Sequence, residues 1–204
     1  KYVINTHYHG DHVGGNASFP GAEIIATEQT AKFIEQRDGE RVEYARTFGL
    51  AFQQVHPITP PTKTFRDRLV LDVGGEKLEL LQLGRVETPD ACVVWWPSRR
   101  AIFTGDGVST LDYPWTGVPF LDEGLQPDGE WISFFKRVKE LKPSVLIPGH
   151  GPPLEGEAAI SARLELLSRL FTDLFAAVKP RVDAGKPVPQ ILAEVNQELR
   201  AYRE

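Results

Sequence analysis

Short apolar runs alternate with glycine- and proline-rich turns along the chain. The β-branched stretches "KYVINT" (1–6) and "AEIIAT" (22–27) predict two strands. Between them lies "HYHGDHVGGN", whose paired glycines predict a tight turn where backbone passes close to other groups. Thr27 is a plausible N-cap, and Ala31, Phe33 and Ile34 recur at helical spacing after it, with a break expected at Arg37-Asp38-Gly39. The segment 56–65, "HPITPPTKTF", predicts extended loop, since its prolines remove donors and fix φ.

Beyond residue 67 the pattern turns to sheet. "RLVLDVGGEKLELLQL" (68–83) reads as a hairpin turning at its two glycines, and "CVVWWP" and "AIFTGD" as two further strands. The segment 107–130 is long, aromatic and rich in Gly and Pro, which suits a binding loop or lid. An amphipathic helix (130–142), a strand in "SVLIPGHG" and two helices (157–179 and from 188) complete the pattern. There is no internal repeat or low-complexity tract. The default is one domain over 1–204, with C-terminal helices from about 155.

Composition narrows the partners. The net charge is -5 with Lys and Arg scattered, so there is no basic face for nucleic acid or anionic membrane. No run of about eighteen apolar residues exists, which excludes a spanning helix in this sequence. The single cysteine, Cys92, sits in an apolar strand and reads as a buried thiol. The chain opens directly on a strand at Lys1, with no polar lead-in. That leads us to expect missing N-terminal strands, supplied by a preceding segment or offset by pairing with a second copy.

The candidate chemistry starts at "THYHGDH". His7 and His9 are two apart, so in extended backbone they point to one side, while Asp11 and His12 follow in the turn and converge from another direction. Three of the five histidines fall within six residues beside an aspartate, a grouping that suits a borderline metal such as zinc. Asp106 and His150 each follow an apolar strand beside glycine, where a side chain can reach the rim of a sheet. His56 has no such company and reads as structural or surface.

"THYHGDHVGGN" resembles the metal-binding signature of the metallo-β-lactamase superfamily, and "AIFTGD" and "LIPGHG" resemble its later motifs in the same order. The resemblance covers the chain to about residue 155. It implies an αββα sandwich with two Zn2+ ions at one edge, manganese or iron being alternatives. The implied metal ligands are His7, His9, Asp11, His12, Asp106 and His150. It also implies hydrolysis of a small-molecule ester by a hydroxide held near Asp11 and Asp106, with Tyr113, Trp115 and Phe120 of the long loop forming an apolar substrate wall.

One position departs from the family. Where it usually presents histidine in Gly-x-x-His-Thr-x-Gly, this chain reads "GRVETPD", which puts Glu87 at the expected ligand position. A carboxylate binds zinc at about the distance of an imidazole but lowers the metal's Lewis acidity and favours harder ions. The zinc-dependent alkyl sulfatase branch is similar, having Glu in a Glu-x-Pro turn, although its bridging ligand is a second glutamate where this chain has Asp106. The expectation is therefore a sulfate-ester hydrolase. A lactonase, thioesterase or β-lactamase, or a non-catalytic fragment, are the alternatives.

Overall fold

The structure, a computed structural model, describes residues 1–47, 58–111 and 129–202, with backbone alone over 38–47. Its elements are arranged in four layers, α, β, β and α. Strands β1 (Tyr2–Ile4), β2 (Glu23–Thr27) and β3 (Lys63–Phe65) form a parallel sheet in the order β1-β2-β3. Strands β4 (Arg68–Val73), β5 (Glu76–Leu81), β6 (Val93–Trp96), β7 (Ala101–Gly105), β8 (Val145–Pro148) and β9 (Leu154–Glu155) form the second sheet in chain order. Pairing there is antiparallel except between β7 and β8.

The apolar run at 93–96 follows from burial of the second sheet on both faces. Val94 joins Ile25, Phe65, Leu71, Leu80 and Cys92 in the core between the sheets. Val93 and Trp95 face the other way, into a core closed by helices. Helix α3 (Gly129–Glu140) contributes Trp131, Phe134, Phe135 and Val138, the spacing of one helical face, and α4 (Glu157–Asp183) contributes Ile160, Leu164, Leu167 and Phe171. Trp131 stacks on Phe171 with ring centroids 4.6 Å apart. On the outside of the first sheet, α2 (Glu28–Thr47) buries Phe33 and Ile34. Helix α5 (Val188–Glu198) closes a small satellite cluster with Ile191 and Val195 against Ala177.

Within the described residues the sequence-based elements hold with local corrections, and most of the expected loop 107–130 lies outside them. Helix α2 runs through Arg37-Asp38-Gly39, where the sequence predicts a break. A single interior glycine costs about 1 kcal/mol, too little to interrupt a helix anchored by tertiary packing. Within 56–65, residues Lys63–Phe65 are strand, because Thr62 N–H donates to Ile24 O and leads the chain into parallel register beside β2. Helix α4 extends past Lys179 to Asp183, tolerating Pro180 in its last turn. The hairpin turn between β4 and β5 is as expected, with Gly74 and Gly75 at φ of 67° and 90°. Among the described residues no helix is long and apolar enough to cross a membrane.

Strands β5 and β7 point the same way, each antiparallel to β6, and β8 runs parallel to β7. The segments following β5, β7 and β8 therefore leave the sheet at one edge, where the segment following β1 meets them.

Candidate metal centre

Chain geometry after β1 separates the ligand-type side chains into two groups. Residues 6–9 are non-helical, and a single helical turn, α1 (Gly10–Val13), follows with His9 at its N-cap. His7 and His9 thus project from irregular backbone, and Asp11 and His12 from a helix. Asn5 and Asn16 close this segment through a reciprocal amide pair, each Nδ2 donating to the other's Oδ1 at 2.9 and 3.0 Å. Asn16 also donates to Thr59 O, which ties the segment to the approach to β3. Both amides are buried, so the pair removes polar groups that would be costly alone.

Glu87 comes from the segment joining β5 to β6 and enters the same space. Its Oε1 lies 3.0 Å from His9 Nδ1, and its Oε2 lies 3.5 Å from His7 Nε2. With Asp106, these four residues place one ligand-type atom each within 4.8 Å of one another. Asp11, His12 and His150 form a second such group. Asp106 stands between them, Oδ1 3.3 Å from His12 Nε2 and Oδ2 3.3 Å from His150 Nε2 and 3.9 Å from His7 Nε2. Asp11 Oδ2 lies 3.3 Å from His12 Nε2 and 3.1 Å from His150 Nε2.

The two groups differ in access. The side chains of His7 and Glu87 are 1% and 4% exposed, against 55% for Asp11 and 42% for His150. Among the described residues, the open side of the site is therefore the one that bears Asp11 and His150.

The residues fit divalent metal. His7 Nε2, His12 Nε2, Glu87 Oε2 and Asp106 Oδ1 are all buried and, among the described residues, have no hydrogen-bond partner. Four orphaned polar atoms converging on one region would cost several kcal/mol unless a cation satisfied them. Burial, aided by the nearby His12 and His9 imidazoles, pushes the His7 pKa down to about 3, leaving a neutral ring with a lone pair to donate. Burial alone would lower His12, but the carboxylates of Asp106 and Asp11, each 3.3 Å from its Nε2, outweigh it and raise the ring to about 10. The same closeness to His12 holds Asp11 well below its usual value. Asp106 is also lowered, its partial burial being overcome by His12 and the other imidazoles. For His9 the desolvation is outweighed by Glu87, and its pKa rises. Without metal, a proton on His12 thus occupies the centre of the second group.

Close approach at the rim requires glycine at 149. A Cβ there would stand 2.0 Å from Asp106 Oδ1 and 3.0 Å from the His12 ring. The "PGHG" turn brings its backbone against the carboxylate shared by both groups.

Comparison with known proteins agrees with this arrangement. The Metallo-beta-lactamase superfamily profile matches residues 1–150. The chain belongs to the metallo-beta-lactamase superfamily. Among curated proteins it is similar to a linear primary-alkylsulfatase of Pseudomonas sp. (strain ATCC 19151), 20% identical over 200 residues, covering 81% of this chain and 37% of that protein. It is also similar to a metallo-beta-lactamase type 2 of Elizabethkingia meningoseptica, 25% identical over 174 residues, covering 82% and 60%. The chain thus spans less than two thirds of these relatives. A metallo-beta-lactamase family protein of Thermus thermophilus shares the fold with a TM-score of 0.62 at 21% identity, covering 88% of this chain and 63% of that one.

All seven sequence-proposed ligand positions, His7, His9, Asp11, His12, Glu87, Asp106 and His150, fall in the two groups. Tyr113, Trp115 and Phe120, expected to line the substrate, and His56 lie outside the described residues. Asn5, Asn16 and Asp90 have no role legible in the sequence, although each shapes a segment that bears ligands; "GGN" and "ETPD" contain two of them without marking them.

Proposed function

We propose that this chain is the catalytic domain of a dinuclear, zinc-dependent hydrolase acting on small sulfate esters, with 1–204 forming one domain and its C-terminal helices beginning near residue 155. The observation that carries the reading is the Glu87 carboxylate set between His7 Nε2 and His9 Nδ1. His7, His9, Glu87 and Asp106 would hold one ion, and Asp11, His12 and His150, with Asp106 shared, the other. Bound there, divalent metal supplies Lewis acidity and a lowered pKa for water.

The protein's own contribution is positioning and charge. His7 is kept neutral by burial and offers its lone pair without first losing a proton. Three carboxylates, Asp11, Glu87 and Asp106, offset two dications to leave one net positive charge, matched to the single negative charge of a sulfate monoester. A three-histidine site would leave two. The extra carboxylate also hardens the buried position toward manganese or iron. Asp11 and His150 lie at the more open side of the site, so an incoming ester would meet the ion they hold first.

Similarity to the alkylsulfatase supports the sulfate-ester reading. Asp106 and the higher identity to the type 2 metallo-beta-lactamase favour a second reading, hydrolysis of a lactone, thioester or β-lactam. Purified protein loaded with zinc or manganese and offered medium-chain alkyl sulfates, aryl sulfates, lactones, thioesters and β-lactams separates the two. Turnover of sulfate esters above the others is the expected result, and turnover of lactone, thioester or β-lactam alone overturns it.

A further inference from the structure

The segment that delivers Glu87 has no regular secondary structure of its own between β5 and β6, so something else must fix its shape. Asp90 lies three residues on, is completely buried, and faces the start of α2. Thr30 Oγ1 donates to Asp90 Oδ2 at 2.7 Å, and Thr27 Oγ1 donates to the Asp90 main-chain oxygen at 3.2 Å. Thr27 in turn caps the helix, its Oγ1 accepting from Thr30 N–H at 2.9 Å. Main chain and side chain of Asp90 are therefore both fastened to one capping turn, at the positive end of a 20-residue helix.

Burying this acid is costly, and its second oxygen, Oδ1, has no hydrogen-bond partner among the described residues. Gln82 Nε2 donates to Pro89 O, and Cys92 N–H donates to Thr6 O, so both flanks of Asp90 are held too. Thr88, also buried, and Pro89 join the two acids along the backbone.

We infer that Asp90 is a positioning residue for Glu87: by anchoring the turn 87–90 to the Thr27–Thr30 cap, it fixes the carboxylate that replaces a histidine beside His7 and His9. Resting on the reading of Glu87 as a metal ligand, this extends that reading to the residue that fastens its segment to α2. A glutamate has one more side-chain torsion than histidine, so its carboxylate needs a stiffer backbone to stay in place. The capped end of α2 supplies that stiffness.

The test uses the whole chain and its D90A, D90N, T30V and E87A variants, stripped and titrated with Co2+, with affinity at each site read from absorption and stoichiometry from elemental analysis. Wild type is expected to bind two ions. D90A and T30V should keep the Asp11, His12 and His150 site and weaken the Glu87 site by about 10- to 100-fold. D90N, whose amide oxygen still accepts from Thr30, should restore affinity to within severalfold. In the E87A background, D90A should add no further loss at that site. If D90A does not fold, T30V, which removes only the hydroxyl, gives the same comparison. Unchanged affinity at the Glu87 site in folded D90A and T30V, or losses additive with E87A, overturns the inference while leaving the metal reading intact. A wild type that binds no metal overturns both.

Discussion

His9 Nδ1 and Glu87 Oε1 meet at 3.0 Å across the edge of the sandwich, one from the segment after the first sheet's β1 and the other from the second sheet. Neither sheet alone forms the buried metal group, so the site reports on correct docking of the two. Replacing Glu87 by alanine removes one of four convergent ligand-type atoms and leaves the other three. Metal affinity at the buried group should fall by more than about 100-fold, exceeding the effect of losing an outer-shell partner. E87H should recover binding with a preference moved from manganese toward zinc, measured by competitive titration.

Gly149 gives a test of close approach. A methyl group there would overlap Asp106 Oδ1 and crowd the His12 ring. G149A should fold, since the turn lies at the rim, yet lose binding at both groups together because Asp106 is shared. Retention of one full-affinity ion in G149A contradicts the shared position.

The Asn5 and Asn16 pair should matter for stability before chemistry. N16A leaves the buried Asn5 amide without its reciprocal partner, at a cost of about 1–3 kcal/mol. Thermal unfolding should therefore shift down by about 2–4 °C per kcal/mol for a domain of this size. The shift should be present in chelator, where no metal contributes.

Acidity also gives a signed expectation for the metal-free chain. Between the ordinary histidine value of 6.5 and about 10, folded protein holds a proton on His12 that the unfolded chain lacks, so stability falls as pH rises. Between 6.5 and about 3 the unfolded chain holds a proton on His7 that the folded protein lacks, so stability falls as pH drops. Asp11 and Asp106, both lowered, add to the acid loss below their usual values. Denaturant midpoints in chelator should peak near pH 6.5. With metal present the alkaline decline should vanish, because ligation requires neutral imidazole.

Much of this was legible in sequence because the chemistry is local. The spacing of His7, His9, Asp11 and His12 encodes two directions of approach, and strand-end glycines marked Asp106 and His150. Glu87 stood out because it broke a pattern. What sequence did not show was support: Asp90 and Thr30 are distant in the chain, and so are Asn16 and Thr59, so pairings made by tertiary packing leave no periodic signal. The same holds for α2 continuing through Gly39, where tertiary packing outweighs a local propensity.

Elemental analysis of the purified chain, joined to X-ray absorption of its zinc or manganese form, bears most directly on the dinuclear site. Two metal ions per chain, with a first coordination sphere that loses a carboxylate oxygen in E87A, is the expected result. One ion or none, or a coordination sphere identical in wild type and E87A, contradicts it.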